Sequence, residues 1–228
     1  MGGIAEIYGD SIMKGVFFDS SAGKYRTLPG TMLEKFAEKH NLQIKNRSRF
    51  GCTISKGEKI LEGALQKPEK RDFLLMEYGG NDCDFDWAAV AECPLGRHQP
   101  HTPPESFEKA YRGMVARVSE QGARPVAMSL PPIDAEKYFR WITRDGLSRD
   151  HILQWLGDIQ MIYRFQELYS SMITRIAYET GCLFVDVRSA FLDKHNYKQL
   201  LCEDGIHPNE QGHQLIYDAF SQKAAAVL

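Results

Sequence analysis

Short apolar runs recur along the whole chain, separated by segments with helical spacing, and no other feature restricts the fold as much. Residues 4–8 (IAEIY), the alternating Leu42, Ile44 and Asn46, residues 73–78 (FLLMEY), 125–130 (PVAMSL) and 183–187 (LFVDV) read as five strands. Between them, residues 30–40 place Met32, Leu33, Phe36 and Ala37 on one helical face. Residues 53–65 do the same with Ile54, Ile60, Leu61 and Leu65, and Pro68 punctuates the end. A helix is expected from about Glu105 to near Gly122, a long one over 151–180, and a closing one over 208–226 with Pro208 in its first turn. Residues 84–103 read as loop, and 133–150 show no clean period. Strands alternating with helices imply βαβ units, a mainly parallel sheet and a three-layer α/β/α sandwich.

At 228 residues the chain suits one core, so residues 1–228 are expected to form a single domain. A net charge of -2 gives no broad positive field, which excludes nucleic acid as the expected partner. No run approaches the roughly 18 apolar residues of a membrane span. No basic-then-apolar leader opens the chain, and the five cysteines are irregularly spaced, so reduced thiols and a cytoplasmic location are expected.

In an open α/β sheet, ligands bind beyond the carboxyl ends of the strands, and that is where the reactive residues fall. Gly9-Asp10-Ser11 follows the first strand. A serine on a tight strand-to-helix turn is open both to a base and to a carbonyl, though alone the tripeptide reads as an ordinary turn. Asp204 and His207, three residues apart, can pair so that one ring nitrogen is held and the other is free for a serine proton. Alone they read as a helix cap and a solvent histidine. Gly79-Gly80-Asn81-Asp82 ends the third strand, where the Asn81 amide can donate to an oxyanion. Gly51 follows the second strand and offers a second donor, with Gly57 nearby as the other candidate.

Serine, glycine, asparagine and histidine in that order resemble the SGNH hydrolases, the GDSL-type esterases and lipases. Gly9-Asp10-Ser11-Ile12, Gly80-Asn81-Asp82 and Asp204-x-x-His207-Pro208 carry the resemblance, and Asn209-Glu210-Gln211-Gly212-His213 continues it. It implies a five-stranded flavodoxin-like sheet and a serine ester hydrolase that needs no cofactor or metal. Ser11 would be the nucleophile, His207 the base and Asp204 its orienter. The Ser11 and Gly51 amides and the Asn81 side chain would form the oxyanion hole.

The expected substrate is a small-molecule ester, and specifically a short acyl (acetyl) ester of a carbohydrate or similar polar alcohol. The segment after the fourth strand carries Arg140, Trp141, Arg144 and Arg149, and Asp10, Trp141 and Arg140 are the candidate substrate contacts. A lysophospholipase or thioesterase is the near alternative. A non-catalytic carbohydrate-binding protein is the distant one. Tyr138, Phe139 and Trp155 suit either a pocket or a core, and Phe17 and Phe18 read as core. Cys93, His98 and His101 lack zinc spacing, and the series Asp82, Asp84, Asp86 lacks the glycine and glutamate of a calcium loop. His213 reads as structural, and His40, His151 and His195 as surface residues.

Overall fold

The computed structural model describes residues 3–227, apart from the side chains of residues 31, 32 and 227, so the expected inward packing of Met32 lies outside it. All five expected strands form. They are β1 (Gly3–Gly9), β4 (Leu42–Asn46), β5 (Phe73–Glu77), β6 (Arg124–Met128) and β7 (Leu183–Val185). They pair in parallel in the order β4-β1-β5-β6-β7. Renumbered along the sheet, that is the 2-1-3-4-5 order of a flavodoxin-like sheet, with the switch point between β1 and β5.

Side chains alternate across this sheet, as the two-residue period of a strand requires. Tyr8, Leu74 and Met76 face a core built with α2 (Ile54–Leu65), α4 (Pro104–Glu120) and α7 (Gln160–Thr180). Ile7 and Leu75 face the other way, toward α1 (Thr31–Lys39), α8 (Val187–Leu192) and α9 (Glu210–Val227). The three layers are therefore helix, sheet, helix.

The structure adds elements where the sequence showed loop or no period. A hairpin of β2 (Val16–Asp19) and β3 (Lys24–Thr27) projects just after β1. Beyond the carboxyl edge of the sheet lie α3 (Trp87–Glu92), α5 (Ala135–Ile142) and α6 (Arg149–Leu156). Each starts on a side-chain cap, namely Asp86, Asp134 and Ser148 respectively. These helices bury their own aromatic cluster, including Phe85, Trp87, Tyr138 and Phe139. The single helix expected over 151–180 is two, because Gly157 takes a positive φ of 71° and ends α6. Pro208 precedes the closing helix instead of occupying its first turn. It pairs across to Leu201, and Asn209 caps α9 by accepting from the Gly212 amide at 3.0 Å.

Gly57 sits inside α2 and is a packing residue: a Cβ there would overlap the buried Tyr78 ring. Gly63, on the same helix, meets nothing within 4 Å. Gly57→Ala is expected to destabilise by about 1–2 kcal/mol, since overpacking outweighs the helix-propensity gain of about 1 kcal/mol. Gly63→Ala keeps that gain and should stabilise. Urea midpoints of the two variants check the opposite signs.

Candidate active site

Three loops beyond the carboxyl edge converge on one point. The chain turns directly after β1, closed by Val16 N donating to Ser11 O at 2.9 Å and Lys14 N to Asp10 O at 3.1 Å. This turn leaves Ser11 at the sheet edge. The loop after β4 is stitched to it, with Arg49 N donating to Gly9 O at 3.0 Å and Asn46 Nδ2 to Met13 O at 2.7 Å. Asp82 joins the loops after β4 and β5. Its carboxylate accepts from Ile54 N at 2.9 Å and from Thr102 Oγ1 at 2.6 Å. Gly51 and Asn81 are thereby fixed on either side of Asp82's anchor.

The segment before α9 folds back as a turn. Gly205 has φ 77°, and a Cβ there would stand 2.7 Å from Asp134 O and Tyr138 N, so glycine alone fits against α5. Asp134 N donates to Gly205 O at 2.8 Å and locks the turn onto the loop after β6. Within it, Asp204 is fully buried. Its Oδ1 accepts from Ile206 N at 3.1 Å and His207 N at 3.0 Å, and its Oδ2 lies 2.6 Å from His207 Nδ1. Burial pushes the Asp204 carboxyl up, but the hydrogen bonds from His207 outweigh it and hold the group below the usual carboxylate range. A carboxylate at Nδ1 assigns the proton to that nitrogen. Nε2 is left to accept, and Ser11 Oγ stands 2.9 Å from it. Ser11, His207 and Asp204 thus form one hydrogen-bonded line.

Around Ser11 are three donors. The Ser11 and Gly51 amides bond to no protein acceptor among the described residues. Asn81 Nδ2 donates to Asp10 Oδ2 at 2.8 Å and, at the long limit of 3.5 Å, to Cys52 O. Asp10 lines the cavity but differs from the expected substrate contact. It is 2% exposed, and both its oxygens are taken, by Ile12 N at 2.8 Å and by Asn81.

A cavity of about 520 Å³ opens from this point. Its rim holds Trp141, as expected, with Tyr25 and Phe50, which sequence reasoning did not assign. Tyr25 and Phe50 lie against the His207 ring, at centroid distances of 5.1 and 6.0 Å, and Phe50 is 55% exposed. Tyr25 arrives on the unexpected β2–β3 hairpin, and Phe18 of the same hairpin packs edge-on to Trp141 at 4.7 Å instead of entering the core. Arg140 is exposed on α5 and does not line the cavity. Arg144 does, with its guanidinium 3.6 Å from the Trp141 ring centroid.

Deeper in, the walls are Phe85, Leu130, Ile133, Tyr138, Ile162 and Phe165. Trp155 packs behind them on Phe85 and Phe165. Asp82, Asp84 and Asp86 point to separate donors and do not converge on one centre. Among the described residues no three His, Cys, Asp or Glu side chains gather as a metal site, and no helix is long and apolar enough to cross a membrane.

Comparison with known proteins agrees with this fold. The profile of the GDSL-like Lipase/Acylhydrolase family matches residues 7–215. The chain belongs to that family, a class of SGNH hydrolases. The GDSL esterase/lipase CPRD49 of Arabidopsis thaliana is 22% identical over 92% of this chain and 74% of its own length. The lipase/acylhydrolase from Enterococcus faecalis superposes with a TM-score of 0.69 at 14% identity, covering 98% of this chain and 96% of that one. LAE5, an α/β hydrolase enzyme from the metagenome of Lake Arreo, gives 0.68 at 24%, covering 100% and 97%. A catalytic mutant of Axe2, an acetylxylan esterase from Geobacillus stearothermophilus, gives 0.67 at 21%, covering 98% and 95%. At these identities the superpositions show the fold.

His213 braces the site from α9, its Nε2 donating to Val16 O at 3.0 Å. Burial pushes its pKa down to about 4, so it is neutral when folded. The unfolded chain takes up the proton below about pH 6.5, and stability is lost as pH falls from there toward the folded value. From about pH 7 to about pH 5 this group's contribution should fall by about 2 kcal/mol. Denaturant unfolding at the two pH values, beside His213→Gln, checks it: the variant's stability should vary less over that interval.

Proposed function

We propose that this chain is a serine carboxylic-ester hydrolase, and the observation that carries the reading is the Asp204–His207–Ser11 line with unpaired donors beside its serine. Ser11 Oγ attacks the acyl carbon as His207 Nε2 takes its proton. Asp204 holds the imidazole in the tautomer this needs and stabilises the imidazolium. The carbonyl oxygen, now negative, is held by the Ser11 and Gly51 amides and Asn81 Nδ2. The ester C–O bond breaks, His207 returns its proton to the departing alkoxide, and an acyl-Ser11 remains. Water attacks that ester with His207 again as base, which frees the acid and Ser11. The mechanism uses no cofactor.

The leaving alcohol must sit where His207 can protonate it, and that is the rim of Tyr25, Phe50 and Trp141. Exposed aromatic faces there, beside Arg144, suit a polar alcohol such as a carbohydrate. An acetylxylan esterase among the structural neighbours accords with a short acyl group on such an alcohol.

A second reading, toward longer acyl groups as in a lysophospholipase or thioesterase, is favoured by the deep lobe. Its polar side chains are already committed. Asp84 accepts from Trp87 Nε1 at 2.9 Å and Tyr138 OH at 2.6 Å, and Gln166 spans Pro131 O at 2.7 Å and Arg188 Nη1 at 2.8 Å. That leaves an apolar wall for an acyl chain to cover.

Purified protein treated with a fluorophosphonate is expected to be labelled at Ser11 alone. Ser11→Ala should lose label and about 10⁴-fold or more of kcat; a variant with near-wild-type turnover contradicts the reading. A p-nitrophenyl ester series separates the substrate readings. An optimum at acetyl supports the short-acyl assignment, and one at about eight carbons or more supports the deep lobe as an acyl site.

A further inference from the structure

Strand β5 ends on a carboxyl group that the reaction above does not use. Glu77 is fully buried. Its Oε2 accepts from the Asp10 amide at 3.1 Å, the Met13 amide also acts on the carboxyl, and its Oε1 meets no hydrogen-bond partner within bonding geometry among the described residues. The chain's other fully buried glutamate, Glu6, is handled differently. Arg47 lies 3.0 Å and Arg71 3.2 Å from its oxygens. Neither Glu77 nor Asp10 has such a cation among the described residues. Two adjoining buried carboxylates without a cation cannot both stay ionised, because desolvation and mutual repulsion add. One shared proton resolves this, and Glu77 Oε1 has no other use for its lone pairs.

We propose that Glu77 and Asp10 act as a one-proton carboxyl pair that positions Asn81, with Glu77 donating to the Asp10 carboxylate and Asp10 holding one hydrogen of the Asn81 amide. The second amide hydrogen then points at the substrate oxyanion. This rests on the reading of Asn81 as an oxyanion donor. Glu77 and Asp10 are positioning residues, since neither touches the reacting atoms.

The surroundings agree with the assignment of the proton. Burial first, and the Asp10 charge second, push Glu77 well above the usual carboxylate range. Burial leaves Asp10 above its ordinary value too, but the Ile12 amide, Glu77, His207 and Asn81 each offset part of that rise, whereas Glu77 stays well above its own. The other titratable groups that feel the pair are Cys52 before α2, Tyr78, Asp82 and Cys83 after β5, and Tyr111 of α4. None of these is a cation. Raising the pH strips the shared proton, sets two carboxylates against each other and loosens Asn81, so turnover falls on the alkaline side.

The test compares wild type, Glu77→Gln, Asp10→Asn, Asn81→Ala and the Asp10→Asn/Asn81→Ala double variant on one ester from about pH 5 to about pH 10. A glutamine can donate to Asp10 and accept from its amide at every pH. The ratio of alkaline to neutral kcat should therefore rise about tenfold in Glu77→Gln relative to wild type. Asp10→Asn should lower kcat about 100-fold with KM changed less than about threefold, and the double variant should lose no more than Asn81→Ala alone. Superimposable pH profiles of wild type and Glu77→Gln overturn the proposal, as do losses that multiply in the double variant. Fluorophosphonate labelling separates the layers. Ser11 labelled in wild type with superimposable profiles defeats this proposal alone, whereas an unlabelled wild-type Ser11 defeats the hydrolase reading and this one with it.

Discussion

The 2.9 Å contact between Ser11 Oγ and His207 Nε2 joins residues 196 positions apart, and most of the architecture is needed to hold it. One end is fixed by β1 and the tight turn that follows. The other hangs from a turn that Asp204, through its two oxygens, and Gly205, through its close approach to α5, define atom by atom. A parallel sheet brings the ends together because every strand delivers its loop to the same edge. The switch between β1 and β5 opens the crevice at which Ser11 and Asn81 meet. Each end of the contact is carried on a hydrogen-bonded turn, which is the kind of support that a preorganised site requires.

Charge is managed unequally around that contact. Glu6, buried in the middle of β1, is paired with two arginines. Asp204 is stabilised by backbone amides and the imidazole it orients. Asp10 and Glu77 have only amides and each other. The donors nearest Ser11 are thus neutral dipoles, which suits the proposed role of holding a transient oxyanion without binding a permanent anion in its place.

Much of this was legible in the sequence. Apolar runs such as FLLMEY and PVAMSL mark buried strands because both faces of a parallel sheet are covered. The four reactive blocks stand directly after strands or before the last helix, and the structure brings Ser11, Gly51, Asn81, Asp204 and His207 together. What escaped was local. The β2–β3 hairpin is two four-residue strands, the second carrying Lys24 and Arg26, so no apolar alternation announces it. The α3 and α5 helices are six and eight residues long, too short for periodicity to stand out, although Asp86 and Asp134 are cap residues that could have located them, and Gly157 could have marked the break between α6 and α7. Tyr25 and Phe50 reach His207 only through tertiary packing. Arg140 lies on α5 and Arg144 in the turn just past its end, and only the folded backbone decides which of them faces the cavity. Glu77 looked like one more residue of an apolar strand, and its environment exists only once β1 lies beside it.

The most direct test is a crystal structure of the protein phosphonylated at Ser11, whose tetrahedral phosphorus stands in for the attacked acyl carbon. The account predicts one phosphoryl oxygen within about 2.7–3.1 Å of the Ser11 amide, the Gly51 amide and Asn81 Nδ2 together, with His207 still bonded to Asp204. A phosphoryl oxygen turned to solvent, or an Asn81 amide directed elsewhere in the adduct, would contradict it.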